Sequence, residues 1–402
     1  MTRRAPLLDG VTVLDFTRVL AGPYCTRLMA DLGARIIKVE RPGEGDETRR
    51  GYLQIEEGRT DQATYFIRVN AGKLSVAIDL AHAEGRAIAH DLARRADVAI
   101  ENFVPGVAAK LGIDASALRA INPKLVYCSI SGFGQDGPLA RWPAFAHIIS
   151  AMSGMMELER NREPTPRVAY LQAADVLAGT HAFGAIAAAL VRQARTGDGA
   201  TLDVSMLQAV VAAEDVSFGA VLNGGEISPG PRVGMIVADV QGRHVVTQYV
   251  GGPQLWTRLC GVMKRPDIEN DPRFATPAAR RQHWDELRPL LVEWLESFAS
   301  ADEALSTLNA ARVPAAPVLS PAEVVAHPHL QARAAFPEIP HPGRGTVRIT
   351  ATPFHVDGAP LRPAGPAPWR IGEHTRQVLT DVLGYTPARI DDLRRAGVIA
   401  EP

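Results

Sequence analysis

Residues 11–40 read VTVLDFTRVLAGPYCTRLMADLGARIIKVE, and this stretch decides the fold. Residues 11–16 form a short run of β-branched and apolar side chains, which predicts a buried strand. Residues 21–33 repeat apolar side chains at helical intervals, with a proline in the first turn and a glycine at the end. Residues 34–40 predict a second strand. A strand, a helix and another strand predict a βαβ unit, from which parallel sheets are built.

The same alternation continues through the first half of the chain. Further strands are predicted at 74–80, 96–103, 125–134 and 201–207. Helices are predicted near 83–95 and 174–196, a helical turn near 105–111, and a polar excursion loop at 42–62. The fold class predicted is therefore α/β, with a large doubly wound parallel sheet of Rossmann-like type.

The alternation of strand and helix patterns ends after residue 222. We expect the first part of the large domain at 1–222, a Gly/Pro-rich linker at 223–240 and a smaller α+β domain at 241–328. That domain is predicted to hold one strand at 242–250 and helices near 253–262, 281–299 and 301–312. Residues 329–402 begin Pro-rich and end in a helix pair. They are expected to return over the large domain and complete it.

Charge composition excludes several classes of ligand. The chain has 402 residues, of which 46% are hydrophobic and 22% charged, and its formal net charge is -1. The sequence has no basic stripe that would attract nucleic acid. A phosphate-bearing ligand must therefore be held by local groups and not by the overall field of the protein.

Cysteine usage and hydropathy predict a soluble, cytoplasmic protein. Cys25, Cys128 and Cys260 are far apart and lack the spacing of a disulfide framework or a zinc site. They are interpreted as buried thiols in a reducing compartment. No run of about 18 purely apolar residues is found in the sequence, so no membrane association is expected. No metal site is predicted.

The common nucleotide and hydrolase motifs are missing from the sequence. It has no G-x-G-x-x-G after the first strand, no G-x-x-x-x-G-K-[ST], no G-x-S-x-G and no H-E-x-x-H. A nicotinamide site, a P-loop and the usual hydrolase centres are therefore unsupported. Periodicity predicts an α/β enzyme but not its reaction.

Several blocks of sequence do resemble a known family. These blocks are residues 9–46, 70–80, 96–112, 122–138, 173–206, 311–333 and 372–399. In this order they resemble the class III CoA-transferases, the family of formyl-CoA transferase, carnitine CoA-transferase and the α-methylacyl-CoA racemases. The resemblance covers nearly the whole chain. It implies a CoA-transferase that moves CoA between an acyl-CoA donor and a carboxylic acid acceptor.

The resemblance implies a catalytic role for Asp175. Taken alone, Asp175 before an apolar helix is typical of a helix N-cap. In the family, an aspartate in a D-x-x-x-G motif is the nucleophile, and here Asp175 and Gly179 match that motif. The residue is then expected to form an aspartyl-CoA thioester. Backbone N–H groups of a glycine loop, at 223–225 or 250–252, are candidates for binding the oxyanions of the reaction.

Contacts with CoA are carried over from formyl-CoA transferase position by position. The implied contacts are Val19, Leu20, Arg41, Ile78, Asp79, Asn102, Phe103 and Lys110. Most follow the carboxyl ends of predicted strands, where open α/β sheets bind their ligands. Lys110 replaces an arginine of the family, and Ala81 stands where many relatives have a lysine. Each contact has an ordinary alternative as a core side chain or a solvated charge.

The acyl pocket is predicted at Phe145, Ala146 and His147. Leu20 and Ala146 stand where formyl-CoA transferase has a glutamine and a glutamate, so a different acid is expected as substrate. Phe145 stands where the racemases have their catalytic histidine. Phenylalanine cannot transfer a proton, which favours a transferase over a racemase. His147 could substitute only in a shifted helix register, and a structural role is expected for it.

Two other functions stay open at this point, an α-methylacyl-CoA racemase and a non-catalytic CoA-ester-binding subunit. Transfer between two carboxyls of one dicarboxylic acid is also compatible with the sequence. The resemblance implies CoA and acyl-CoA as substrates and no tightly bound cofactor. It further implies an interlocked, ring-like homodimer.

Overall fold

The computed structural model describes residues 5–160, 163–214, 217–227, 233–249 and 253–402. The chain divides into two compact units. The larger comprises Met1–Ser228 and His329–Pro402, and the smaller comprises Pro229–Pro328.

Fourteen strands are formed by the described residues. In chain order they are β1 (Thr12–Asp15), β2 (Arg35–Glu40), β3 (Lys73–Ile78), β4 (Val98–Glu101), β5 (Val126–Ser131), β6 (Ala200–Ser205), β7 (Met235–Val240), β8 (Arg243–Gln248), β9 (Ala315–Pro317), β10 (Glu338–His341), β11 (Gly345–Arg348), β12 (His355–Val356), β13 (Ala359–Pro360) and β14 (Ile399–Ala400).

The helices alternate with these strands in the first half of the chain and cluster in the second. In chain order they are α1 (Ala21–Asp31), α2 (Thr64–Asn70), α3 (Ala83–Ala93), α4 (Val107–Lys110), α5 (Ala115–Ile121), α6 (Ala146–Met152), α7 (Met155–Glu159), α8 (Ala173–Thr196), α9 (Met206–Ala213), α10 (Ser217–Leu222), α11 (Pro253–Met263), α12 (Pro266–Asn270), α13 (Pro277–Gln282), α14 (Trp284–Glu296), α15 (Ala301–Ala310), α16 (Pro321–Ala326), α17 (Pro328–Ala332), α18 (Thr375–Asp381) and α19 (Pro387–Arg395). A short 3₁₀ turn, Glu47–Arg50, lies in the excursion loop.

The large unit is built on a seven-stranded sheet in the order β14-β3-β2-β1-β4-β5-β6. The six strands from the first half of the chain are parallel, and β14 adds antiparallel to β3. This confirms the predicted α/β fold with a large parallel sheet. The order reverses between β1 and β4, and such a switch point leaves a crevice at the carboxyl ends of the strands.

Both faces of the sheet are covered, as a parallel sheet requires. Every residue of β5 is buried. One hydrophobic cluster joins one face to α1, α8 and α9, and a second joins the other face to α3, α5, α18 and α19. The C-terminal residues therefore contribute to the core of the large unit.

The small unit has more sheet than predicted. Strands β7, β8 and β9 form a three-stranded antiparallel sheet, whereas the sequence predicted one strand. Residues 235–240, which form β7, were predicted as part of the linker because a Gly/Pro-rich stretch precedes them. Their burial alternates along the strand, which is the pattern of a half-buried antiparallel strand. The predicted helix at 281–299 is divided into α13 and α14, with His283 between them.

Helix α8 is long and apolar. By length and composition, this 24-residue helix alone among the described residues could cross a membrane, with a mean hydropathy of 1.5. It packs against α1, α9, β5 and β6 within the large unit. Only 33% of the residues in its apolar 18-residue stretch are buried there.

Candidate active site

A cavity of about 210 Å³ opens at the switch point between β1 and β4. Five of the residues singled out in the sequence line it: Val19, Asn102, Phe103, Phe145 and Asp175. They come from the ends of β1 and β4, from the residue before α6 and from the first turn of α8. The parallel topology therefore brings together side chains that are up to 156 positions apart in sequence (175 − 19).

Asp175 lies in the first turn of α8 but is not its N-cap, which is Gln172. Burial raises the pKa of the Asp175 carboxyl to about 6. Hydrogen bonds from the backbone N–H groups of Ala21 and of Asp175 itself, and the nearby His147, act in the opposite direction. The carboxyl is thus largely ionised at neutral pH but poorly solvated, a combination common among reacting groups.

The start of α1 lies next to the Asp175 carboxylate. Its N-cap, Leu20, has no side chain that can cap the helix, and its first turn holds no acidic residue. The free N–H groups at a helix N-terminus favour a negative charge. Here the Ala21 N–H lies close enough to the Asp175 carboxylate to lower its pKa.

Gly179 explains how α8 comes so close to α1. A Cβ atom at this position would lie 2.5 Å from the Ala21 carbonyl oxygen, which is far inside contact distance. Gly179 is one helical turn after Asp175. The spacing of the D-x-x-x-G motif is therefore the spacing that lets the carboxylate of α8 reach the first N–H of α1.

The turn between β1 and α1 is strained. Val19 has a φ of +68°, which is rare and costly for a β-branched side chain. Its N–H lies 3.4 Å from Oδ1 of Asp46, and Lys38 Nζ donates to Asp46 Oδ2 at 2.9 Å and to the Thr17 carbonyl at 2.7 Å. Lys38 and Asp46 thus hold the turn at both ends. We call residues 17–20 the strained turn.

The charges beneath this turn are buried and paired. Lys73 Nζ lies 3.2 Å from Asp15 Oδ2, and both side chains are fully buried. Asp15 also accepts from the hydroxyls of Thr17 and Thr26, which join β1 to α1. Burial lowers the pKa of Lys73 to about 8, despite the opposing effect of Asp15. These bonds satisfy the buried polar groups at the end of β1 and fix where α1 begins.

A second cavity of about 400 Å³ lies along the same sheet edge. It is lined by four of the predicted CoA contacts: Arg41, Ile78, Asp79 and Phe103. Phe103 is shared with the first cavity. Arg41 is exposed and pairs with Glu44 at 3.2 Å. The two cavities adjoin each other around the carboxyl ends of β1 to β4.

Other predicted residues lie outside the lining of both cavities. Leu20 and Ala146 are buried, at 3% and 4% exposed. Lys110 is exposed in the last turn of α4. His147 is half-buried next to the cavity, close enough to lower the pKa of Asp175. Contacts of these four residues with a substrate stay predictions.

The structure describes only one of the two glycine loops that were predicted to bind oxyanions. Residues 223–225 are exposed and line neither cavity. Residues 250–252 lie outside the described residues. The backbone N–H groups that donate to the Asp175 carboxylate come from the N-terminus of α1 and from the first turn of α8 itself.

Two residues of the site were missed in the sequence. Arg18, which directly precedes the predicted contacts Val19 and Leu20, lines both cavities. Tyr65, in α2, is close enough for Asp175 to raise the pKa of its hydroxyl, although burial is the larger cause, and that pKa reaches about 12. Its hydroxyl lies 3.3 Å from Gln172 Oε1. A tyrosine in a short helix just after the predicted excursion loop carries no local signal that could have identified it.

Within the ranges that the structure describes, no group of three or more His, Cys, Asp or Glu side chains is arranged to hold a metal ion. Cys25, Cys128 and Cys260 are free and buried.

The chain is similar to proteins of one family over most of its length. The sequence profile of CoA-transferase family III matches residues 8–375. A succinate–glutarate CoA-transferase of Agrobacterium fabrum is 35% identical, over 95% of this chain and 97% of its own. A formyl-CoA:oxalate CoA-transferase of Rhodopseudomonas palustris is 30% identical, over 98% of both chains. The crystal structure of a CAIB/BAIF family protein from Brucella suis matches with a TM-score of 0.79 at 32% identity, covering 94% of this chain and 100% of that one.

Proposed function

The chain belongs to CoA-transferase family III and is an enzyme of that family, and we propose that Asp175 is the residue through which it transfers CoA. The observation that carries the proposal is the position of this carboxylate. It lines a cavity at the switch point of the sheet, it lies next to the first N–H of α1, and burial raises its pKa to about 6.

The proposed reaction proceeds in four balanced steps. An Asp175 carboxylate oxygen attacks the acyl-CoA carbonyl and expels the CoA thiolate, which leaves a mixed anhydride. The thiolate attacks Cγ of Asp175 and releases the first acid as its carboxylate, which leaves an aspartyl-CoA thioester. The acceptor carboxylate attacks Cγ and expels the thiolate again. The thiolate then attacks the acceptor carbonyl, which yields the new acyl-CoA and restores Asp175.

Each step exchanges similar bonds, so the protein has mainly to bind developing oxyanions and exclude water. The N-terminus of α1 is suited to the first task because Leu20 leaves its N–H groups without a side-chain cap. The apolar lining of the cavity, including Phe103, Phe145 and Ile130, suits the second.

We assign the second cavity to the nucleotide end of CoA. Arg41 and Asp79 provide the charge and hydrogen-bonding groups there, and Ile78 and Phe103 the apolar surface. Val19 and Asn102 would then contact the pantetheine arm on its way to Asp175. Leu20 and Lys110 lie just outside this path and are proposed only as supports for it.

The acids exchanged are proposed to be short dicarboxylates. Relatives of this chain are named for succinate, glutarate and oxalate. The polar residues expected for formate and oxalate are replaced by Leu20 and Ala146, both buried. Replacement of polar groups by apolar ones favours an acid with a methylene chain, such as succinate or glutarate.

Mass spectrometry of the quenched enzyme tests the covalent role of Asp175. After incubation with a panel of acyl-CoAs, we expect a CoA adduct, sensitive to hydroxylamine, on the peptide that contains Asp175. Asp175→Asn should form no adduct and should not exchange CoA. An active wild-type enzyme in which Asp175 stays unmodified with every donor would overturn the proposal.

His147 gives a specific reason to test racemisation as well, because it lies near enough to Asp175 to lower its pKa. Two such groups on opposite sides of an α-carbon could exchange its proton. Incubation with a chiral 2-methylacyl-CoA in deuterated water decides between the two functions. Deuterium uptake at the α-carbon without CoA exchange would favour the racemase.

We also propose that the enzyme is an interlocked homodimer in the cytoplasm, with no tightly bound cofactor. Large apolar side chains are exposed on successive elements of the large unit: Phe145, Ile148, Met152, Tyr170, Leu171, Val191 and Leu222. Apolar side chains on this scale commonly mark an interface. Sedimentation of the wild type at micromolar concentration should give a dimer, and a monomer would contradict this.

A further inference from the structure

Arg18 has a fixed backbone and an uncommitted charge. Its N–H donates to Asn102 Oδ1 at 2.9 Å, and Asn102 Nδ2 donates to its carbonyl oxygen at 2.7 Å. This pair of bonds joins the ends of β1 and β4 across the switch point. The direction in which the Arg18 side chain leaves the backbone is therefore set by the sheet.

The guanidinium group has little to bind within the protein. Its nearest carboxylate is Glu47 Oε2 at 3.7 Å, beyond hydrogen-bond distance, and the two side chains are 57% and 52% exposed. Its carbon lies 5.8 Å from the centre of the Phe103 ring. In the described part of the chain its five N–H donors make no hydrogen bond to a protein acceptor. An exposed ion pair of this kind is weak and is readily replaced by a ligand.

The charges around the cavity indicate which ligand that is. The charged residues that line the cavity are Arg18, Glu47 and Asp175, so Arg18 is the cation among its described lining residues. Most of the other lining is apolar, including Val19, Phe103 and Met206. A guanidinium in such surroundings pairs with a planar carboxylate through two parallel hydrogen bonds. The Glu47 carboxylate lies near the Arg18 guanidinium, at 3.7 Å, where a substrate carboxylate would bind more closely.

We propose that Arg18 binds the carboxylate of the substrate that does not react, and so selects dicarboxylic over monocarboxylic acids. The inference rests on the function proposed for Asp175. One carboxyl of a short dicarboxylate would react at Asp175 while the other pairs with Arg18, and Glu47 moves aside. Chain length then decides whether both ends can be held at once.

The competing ligand for Arg18 is a phosphate of CoA, because Arg18 also lines the second cavity. That cavity already has a cation in Arg41. Arg18 belongs to the strained turn, which lies next to Asp175, and this favours the acyl end. The experiment separates the two ligands by measuring acids and CoA independently.

The test compares Arg18→Gln and Arg18→Lys with Arg95→Gln, the same chemical change at an exposed position just after α3. With one acyl-CoA donor, kcat/KM is measured for succinate against butyrate and for glutarate against pentanoate. Each pair differs by a carboxylate replaced by a methyl group. The affinity for CoA is measured by calorimetry for every variant.

We expect Arg18→Gln to lower kcat/KM for the dicarboxylates by about 10- to 100-fold, the effect of losing one charge-assisted pair. The monocarboxylates and the affinity for CoA should stay within about twofold, and Arg18→Lys should fall between. Equal losses for both acids, together with weaker CoA binding, would overturn the proposal in favour of the phosphate. So would a wild-type enzyme that does not distinguish succinate from butyrate.

A failure of this proposal can be told from a failure of the covalent mechanism. The Asp175 adduct is monitored by mass spectrometry in the same reactions. If the adduct forms but selectivity does not depend on Arg18, only the role of Arg18 is wrong. If no adduct forms in active wild-type enzyme, the role of Asp175 is wrong.

Discussion

Lys38 Nζ lies 2.9 Å from Asp46 Oδ2, and each of these side chains is only 1% exposed. Burial by itself would raise the pKa of Asp46, but Lys38 and the hydrogen bonds from Thr48 outweigh it and hold that pKa at about 2. The pair supports the strained turn, whose Val19 lies beside Asp175 in the cavity. This buried charge pair, which lines the second cavity, is therefore linked to the geometry of the reacting carboxylate.

The first prediction concerns Asp46→Asn. The change leaves the Lys38 ammonium buried without its anion, which should lower the free energy of unfolding by about 3 kcal/mol. It also weakens the acceptor for the Val19 N–H, so kcat should fall even under conditions where the variant is folded. Chemical denaturation and steady-state kinetics provide the two measurements.

A second change, at Val19, separates the effect of Asp46→Asn on the position of the strained turn from its effect on the stability of the protein. Glycine adopts a positive φ without the cost that valine has there. Val19→Gly should therefore restore part of the kcat lost in Asp46→Asn when the two changes are combined. If kcat of folded Asp46→Asn equals that of the wild type, the pair has no positioning role.

The second prediction is that Asp175→Asn stabilises the protein while it abolishes activity. The pKa of about 6 in the folded state is above the ordinary value of 3.8, so the ionised carboxylate disfavours folding above pH 6. That cost is relieved as the pH falls through 6 towards 4. The free energy of unfolding of Asp175→Asn should exceed that of the wild type by about 1–3 kcal/mol at pH 8. The excess should shrink at pH 5.

Asp198→Asn is the matched control, because Asp198 is exposed just after the end of the same helix. Its effect should be within about 0.5 kcal/mol at both pH values. Equal stabilities of Asp175→Asn and the wild type across this range would contradict the burial of a charged Asp175.

The third prediction is the pH dependence of the reaction. If the attacking group is ionised Asp175, kcat/KM should fall about tenfold per pH unit below pH 6. His147 lowers the pKa of Asp175, so His147→Asn should move this midpoint to higher pH. His181→Asn, at an exposed position on α8, should not move it. A midpoint near pH 4 in the wild type would mean that Asp175 is well solvated in the working enzyme.

The fourth prediction concerns the glycine of the D-x-x-x-G motif. Gly179→Ala introduces a Cβ that would lie 2.5 Å from the Ala21 carbonyl oxygen, so α8 must move away from α1. We expect a loss of about 1–3 kcal/mol in stability, as for other overpacked sites. The Ala21 N–H should no longer reach Asp175, so kcat should fall at least tenfold, an effect of the size known for lost oxyanion donors.

Gly184→Ala is the control within the same helix. A Cβ at Gly184 would meet no atom within 4 Å. Alanine there should raise helix stability by up to about 1 kcal/mol and leave kcat unchanged. If the two variants behave alike in kcat, the close approach at Gly179 does not matter for catalysis.

The sequence predicted the large parallel sheet well because its strands are buried on both faces. Residues 125–134 and 34–40 are short apolar runs between helices, and such runs have few other uses in a soluble chain. The small antiparallel sheet was predicted less well. Residues 235–240 follow a Gly/Pro-rich stretch, and their pairing with β8 depends on contacts that local pattern does not record.

For the candidate site, the sequence identified Asp175 and the other predicted residues that line the two cavities only through resemblance to a family. Local pattern alone would have left Asp175 as a helix cap. Arg18 and Tyr65 were missed because their roles depend on neighbours far away in sequence: Asn102 for the first, Gln172 and Asp175 for the second.

By itself, the sequence determined the order of the six parallel strands along the chain, the D-x-x-x-G spacing and the absence of the common nucleotide motifs. These are properties of neighbours along the chain, and periodicity and residue type record them directly. Only the tertiary structure decided that α8 touches α1 at Gly179, that the Ala21 N–H reaches Asp175 and that Arg18 shares a cavity with it. Those contacts arise where parallel strands end side by side, so the distance in space bears no relation to the distance along the chain.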